Sequence, residues 1–496
     1  MRNPNPTKAR FPLPRPGTAV LAAAGAGGVL VVSVLAPNYL TKIGFVVVPL
    51  GLLVLLIVVA LFVVPVATLP SVALVMFAVL PARILPQEGP LAALPVATIV
   101  LGIWVFRRML LLHPPIARSL AAADSPARTA PSLAMAARAC GVGFVLWSVF
   151  VLIRSVEVQT SAGWLISFTA GAILPMLVSD ARREAALLRS TWIILGSVLG
   201  CYAIAEALLG RNPVWGTLFT VLGVTDSQHW SVYRAEASFG HPLIAALFFA
   251  VTGVLAITWW LTNRSRWPLA GAILNGLALI ATVSRGPILA TAVVIVLTYL
   301  VVIALRGSKR WSRVGLLAVL GAAGIAVLLS NEAFQQRSSS IEAAVSSQAR
   351  DVGVWVAIQA ANASDWLGTG PGTSGITGRL FDSVVIENSL LQLLISVGIP
   401  GVILFLGMIG FAVLYALRQR AVAPAAALAV FTACIASFNA IDALRPLHLL
   451  LGCLLLLALS STSPTEPQYL RSTHHHGTAS KPVQARRMPP AKADLR

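Results

Sequence analysis

A bundle of membrane-spanning α-helices is the fold this sequence predicts, and three observations predict it. Hydrophobic residues make up 57% of the chain and charged residues only 11%, with a mean hydropathy of +0.85. That leaves too little polar surface to cover a water-soluble domain. Apolar runs of roughly 17 to 25 residues, the length that spans a ~30 Å hydrocarbon core, recur from Thr18 to Thr462. Basic residues then alternate in density between successive connecting segments.

The runs lie near 18–36, 43–64, 68–85, 91–106, 139–153, 163–178, 191–209, 239–261, 269–283, 287–305, 314–330, 389–417, 422–440 and 446–462. Each is expected to be helical, because an unpaired peptide group in lipid costs several kcal/mol. Pro70, Pro81 and Pro95 interrupt the third and fourth runs, so the expected count is 12 to 14 helices. With the N-terminus inside, 26 of the 36 Lys and Arg fall in inner segments, as the positive-inside rule requires. The formal charge of +19 is thus a topology signal and gives no reason to expect nucleic-acid binding.

The expected organisation is a cytoplasmic tail over 1–17, a transmembrane domain over 18–462 and a cytoplasmic tail over 463–496. The first run follows Arg15 without a small-residue cleavage site and reads as an uncleaved anchor. Cys140, Cys201, Cys434 and Cys453 all fall in apolar runs, where the expected role is that of a small buried hydrophobe. The tail after Pro464 is polar, basic and rich in Pro and Ala, a disordered composition, and His474–His476 read as part of that linker, with weak metal binding as the alternative.

On the outer face three segments are unusually polar: 210–238, the turn Ser284–Gly286, and 331–388. The last is too long for an unstructured connection. Ser339 and Glu342 have capping-box spacing, and Ile341, Val345, Val352, Trp355 and Ile358 can form an apolar stripe, so the loop is expected to contain a helix lying over the bundle. Gly368, Gly370 and Gly372 permit tight turns whose N–H groups could approach an anion; a flexible connector is the alternative.

Nine of the ten outer basic residues are Arg: Arg83, Arg154, Arg211, Arg234, Arg285, Arg337, Arg350, Arg379 and Arg445, beside Lys42. Arginine suits a site that grips phosphate through two parallel hydrogen bonds. Arg285, in a three-residue turn between apolar runs, Arg234 and Arg350 are the candidates, with snorkelling to lipid headgroups as the alternative for each. Glu387 stands where the polar loop enters a span, beside Asn388, a good N-cap; it reads either as a general base or as an acid favoured by the helix dipole. His241 precedes Pro242 at a helix start, where an interfacial role and a substrate contact both stand, and proton transfer is not assigned to it. Glu206 is a secondary candidate, since carboxylates within membrane spans are rare.

These residues fall in a set of ordered blocks. Tyr233–Pro242 reads Y-R-A-E-A-S-F-G-H-P and Val283–Pro287 reads V-S-R-G-P; Arg350 and Trp355 are followed by W-L-G-T-G-P-G from Trp366 and by E-N-S-L-L-Q-L-L-I-S-V-G-I-P-G from Glu387. This pattern resembles the O-antigen ligase and polysaccharide polymerase superfamily, with the ligase-like core over about residues 190–417 and its outer loop over 331–388. The resemblance implies a metal-independent, inverting transfer of a glycan from a polyprenyl diphosphate carrier to a hydroxyl of a glycan or glycolipid acceptor. By it Arg234 and Arg285 contact the diphosphate and Glu387 occupies the position where ligases usually carry histidine; Arg350, Gly370, Gly372, Asn388 and His241 are the candidate substrate-binding residues. An acid followed by Asn-Ser looks more like the polymerase branch.

The residues alone point the same way. No P-loop, HExxH or D-x-D pair is present, so neither a cofactor nor a metal is expected, and an outer-face reaction has no nucleotide donor. The activated group must arrive on a lipid, with arginines facing the leaving diphosphate and a base facing the acceptor hydroxyl. A transporter of a lipid-linked sugar is the alternative; it would need polar groups near the midplane, and these spans are poor in charge. A polyprenyl-phosphate-sugar transferase would carry an acid pair in the first outer loop, where this chain has Pro37–Lys42.

Overall fold

The computed structural model describes residues 63–80, 94–111, 130–178, 181–221, 232–263, 265–306, 335–336, 341–382 and 385–460. Among them every regular element is helical. In chain order these are α1 (Leu69–Val79), α2 (Val96–Leu111), α3 (Ala130–Ile153), α4 (Val158–Leu177), α5 (Arg182–Leu209), α6 (Trp215–Val221) and α7 (Pro242–Thr262). They continue with α8 (Trp267–Ala281), α9 (Arg285–Arg306), α10 (Ile341–Ala363), α11 (Ser374–Phe381), α12 (Ser389–Arg418), α13 (Val422–Ile435) and α14 (Leu447–Leu459).

Among the described residues six helices are long and apolar enough to cross a membrane: Ser132–Ile153 within α3, then α4, α5, α7, α12 and Arg285–Leu305 of α9. α1, α8, α13 and α14 are shorter apolar helices. Each expected span within the described residues coincides with a helix, while those near 18–36 and 314–330, and all but the last two residues of 43–64, lie outside them, as do both tails.

Burial sorts the helices by composition. α14 is apolar on all sides and buried along its whole length, and most of α7 is buried too, the signature of central helices. α7 packs against α8, α13 and α9, while α12 lies along α3. At the periphery α9 exposes Leu289, Val293, Val296, Leu297 and Leu300 in one helical stripe, an apolar face suited to lipid. Within α4 the ladder widens to a π-turn over Thr169–Ile173, just before Pro175, which has no N–H to donate. There Gly171 lets α14 approach so closely that a side chain at Gly452 would overlap the Gly171 carbonyl.

The helix expected within 331–388 is α10, and it packs on α12. Its buried face differs from the expected stripe: Val356, Ala357 and Ala360 join Ile386 and Ile395, with Val352 alongside, whereas Trp355 and Ile358 are exposed. The alanines permit closer approach to α12 than Trp355 would, so the packed face is rotated from the larger apolar side chains. Cys434 and Cys453 are buried as expected, while Cys201 is exposed on the surface of α5.

Candidate functional site

The site begins with a break in α12. Gly398 adopts φ 68° and ψ −176°, and Pro400 has no N–H, so the helix cannot run through. In an unbroken helix the carbonyls of Ile395, Ser396 and Val397 would accept from residues 399 to 401. Here Thr369 N–H donates to Ile395 O at 2.9 Å and Gly370 N–H to Ser396 O at 3.0 Å. The indole of Trp147 on α3 donates to Val397 O at 2.7 Å, and Ile399 N–H turns to Trp366 O at 3.0 Å. The glycine-rich loop therefore replaces the hydrogen bonds that the break removes. Its fit is tight: a Cβ at Gly368 would come within 2.6 Å of Ser396 O, and one at Gly398 would overlap Trp366 O.

Across the loop lies Asp442, buried in the turn between α13 and α14. Gly372 N–H donates to Oδ1 at 3.0 Å, while Ser374 N–H at 3.1 Å and the Ser396 hydroxyl at 2.8 Å donate to Oδ2, as does the Ser374 hydroxyl. Burial raises the Asp442 carboxyl above its ordinary value, and these hydrogen bonds oppose the rise. The backbone N–H groups of Gly370 and Gly372 are thus engaged within the protein, the latter by an internal carboxylate.

Arg234 and the turn before Arg285 form a second unit. The buried Arg234 guanidinium donates from Nε to Thr282 O at 3.0 Å and from Nη2 to Ser284 Oγ at 2.9 Å, and Ala235 N–H reaches Ala281 O at 3.1 Å. Beneath it Glu206, fully buried on α5, accepts from Tyr233 Oη at 2.8 Å, Glu236 N at 2.9 Å and Ala237 N at 2.8 Å. The carboxylate therefore shapes the loop that presents Arg234. Arg285, first residue of α9, is exposed, and its guanidinium has no partner among the described residues. His241 caps α7, its Nδ1 accepting from Leu243 N at 3.2 Å.

Glu387 lies at the entry to α12, half-buried, with Oε2 3.4 Å from Nε of the exposed Arg350 on α10. Asn388 is the N-cap of α12, its Oδ1 accepting from Leu390 N at 2.9 Å and Leu391 N at 3.2 Å. The two units are joined by residues 437–441. Gly286 abuts Ser437, where a Cβ would lie 2.8 Å from the Ser437 side chain. One residue on, Phe438 O accepts from Ser389 Oγ at 2.8 Å, and Ala440 N donates back to that hydroxyl at 2.7 Å.

Arg234, Arg285, Glu387, Gly370, Gly372, Asn388 and His241, each on a loop or at a helix terminus, consequently gather at one end of the bundle, with Arg350 reaching Glu387 from within α10. Sequence reasoning missed Asp442, Ser374, Ser396 and Trp147, which build the floor of this end. The available signal was a lone acid within the short polar break F-N-A-I-D-A-L-R-P that separates two apolar runs. Compared with known proteins, the chain matches no family model and no curated protein.

Chemically, an exposed guanidinium at Arg285, a fixed one at Arg234 and a carboxylate aimed by Arg350 supply cationic contacts and one proton acceptor on a single face. Such a set suits an anionic leaving group and a hydroxyl nucleophile.

Proposed function

We propose that the chain is a membrane glycosyltransferase of the O-antigen ligase and polymerase type. It transfers a glycan from a polyprenyl diphosphate carrier to a sugar hydroxyl on the outer face of the cytoplasmic membrane, both termini being cytoplasmic. The observation that carries this reading is the bridge at Ser437–Phe438, which ties the turn of Arg285 to the helix entry of Glu387. Residues far apart in sequence thereby share one face.

In the proposed reaction the acceptor oxygen attacks the anomeric carbon as the bond to the diphosphate oxygen breaks. Polyprenyl diphosphate departs, and its growing negative charge meets Arg285 and Arg234. Glu387 takes the acceptor proton, with Arg350 fixing the carboxylate's direction. The Glu-Asn-Ser block favours the polymerase branch over the ligase. The outer-face placement rests on the distribution of basic residues.

Purified protein supplied with a polyprenyl diphosphate-linked glycan and a glycan acceptor should release polyprenyl diphosphate and form a new glycosidic bond. A deletion strain separates the branches: single repeat units left on the carrier indicate a polymerase, long unattached lipid-linked polymer a ligase. An unchanged envelope glycan together with no transfer in the purified system would overturn the proposal.

A further inference from the structure

At the end of the bundle opposite the glycine-rich loop lies a second polar cavity of about 280 Å³, where α5, α7 and the turn between α12 and α13 meet. Arg182, Arg189 and Arg420 line it, and among the described residues its lining contains no Asp or Glu. The nearest acid on α5, Glu184, is paired with Arg108 at 3.4 Å. Arg189 stacks its guanidinium over Trp259 at 4.2 Å, which orients the fork, and its buried Nε has no hydrogen-bond partner among the described residues. Leu255 and Leu457, both buried, give the cavity an apolar floor.

Arg420 is held at the cavity by the end of α12. Its backbone is left-handed, φ 56°, at the C-terminal turn of α12, where Arg420 N–H donates to Leu417 O at 2.9 Å and Ala421 N–H to Ala416 O at 2.8 Å. Glycine is the usual residue at such a position, and an arginine there carries backbone strain. Such a conformation persists where the surrounding structure fixes it, here the two hydrogen bonds that close the end of α12.

We propose that this cavity is a binding site for a phosphate group, gripped by Arg189 and Arg420. Guanidinium forks match phosphate oxygens two at a time, and two cations lining one cavity, with no acid among its described lining residues, favour an anion that offsets their mutual repulsion. The ligand is either the headgroup of an anionic phospholipid, whose glycerol end would rest on Leu255 and Leu457, or a soluble phosphate. This goes beyond the transfer reaction and does not depend on it.

The full-length protein, purified in a mild neutral detergent, should be probed with phosphatidylglycerol against phosphatidylcholine by native mass spectrometry. Inorganic phosphate against chloride at matched ionic strength should be compared by thermal unfolding. A lipid site predicts preferential retention of phosphatidylglycerol by the wild type and at least a tenfold loss in the Arg189→Gln, Arg420→Gln double variant. A soluble-phosphate site predicts that phosphate raises the wild-type unfolding midpoint, leaves the double variant unmoved and leaves lipid retention equal. Thr262, on the rim, gives a pair that spares the arginines: Thr262→Glu should abolish the response by repulsion, and Thr262→Gln should keep it. Wild type and double variant alike with both probes, or equal responses from the two Thr262 variants where the double variant does not fold, overturn the proposal.

Discussion

The carboxylate of Asp442 accepts the backbone N–H of Gly372 at 3.0 Å, joining the turn before the central helix α14 to the glycine-rich loop 70 positions earlier in the chain. Through Ser396 at 2.8 Å the same carboxylate also holds the first half of the broken α12. One buried acid therefore sets the relative positions of three segments, and the loop that carries the glycines is a fixed strut rather than a flexible connector.

Replacing this acid tests both points. Asp442→Asn turns one acceptor into a donor facing Ser374 N–H and two hydroxyls, leaving buried donors unsatisfied at a cost of about 1 to 3 kcal/mol. Because burial raises the Asp442 carboxyl, the folded state keeps a proton that the unfolded chain has released. The stability tied to that proton is fully present below the ordinary value of 3.8 and is lost as pH rises through the raised folded value. Unfolding midpoints of the detergent-purified wild type should fall relative to Asp442→Asn over that window. Parallel profiles would contradict the assignment.

Three glycine substitutions separate strain from mere loss of flexibility. Gly398→Ala must place a Cβ against Trp366 O at φ 68°, and Gly368→Ala one within 2.6 Å of Ser396 O at φ 97°. Each should lower stability by about 2 kcal/mol or more, from left-handed backbone and steric overlap together. Gly375→Ala, in the first turn of α11 with open space around it, should be neutral or slightly stabilising. Comparable losses at all three positions would show that the contacts at the break are not the cause.

The helices were legible because apolar length is a strong signal: α7, α9 and α12 coincide with runs read from hydropathy alone. The break in α12 was not, although Gly398 and Pro400 stand plainly in the sequence, because nothing local says which segment will supply the missing donors. Asp442 escaped notice for the same reason. Its partners lie 46 to 70 positions away, and a single acid between apolar runs forms no motif. Arg285 and Glu387 were legible as residue types at helix ends and Arg234 as an arginine in a polar loop, but their association passes through Ser437 and Phe438, two residues with no chemical signature.

Orientation is testable with single cysteines in a background lacking the four native ones. Thr220, on α6 at the end that carries the glycine loop, and Ser265, between α7 and α8 at the opposite end, are both exposed. A membrane-impermeant thiol reagent should label Thr220→Cys in intact cells, and Ser265→Cys only after permeabilisation. Ser374 is buried against Asp442 and would report on neither side. The reverse pattern would invert the topology and place the candidate site in the cytoplasm.

Arg234 and Arg285 should fail differently. Arg285 is exposed and unpaired among the described residues, so Arg285→Ala should leave the unfolding midpoint unchanged while abolishing transfer from a lipid diphosphate donor. Arg234→Ala also removes donors to Thr282 O and Ser284 Oγ, and should cost about 1 to 3 kcal/mol in stability as well as activity. Lys should rescue either position only in part, since a point charge cannot reproduce the fork. Wild-type turnover in both Ala variants would remove the diphosphate role.

Glu387 decides whether the entry of α12 is chemical or architectural. Asn388 already caps the helix through two hydrogen bonds, so the cap does not require Glu387. Its pairing with Arg350, a half-exposed contact at 3.4 Å, should contribute no more than about 1 kcal/mol. Glu387→Gln should therefore leave the fold intact, and, if the carboxylate is the base, slow transfer by about 10² to 10⁴. Glu387→His should recover part of the rate, because a neutral imidazole can accept the same proton. Full activity in the Gln variant, measured with purified protein and a lipid diphosphate donor, would exclude Glu387 from proton transfer; Glu206 could not take its place, since both its oxygens are occupied by the loop that holds Arg234.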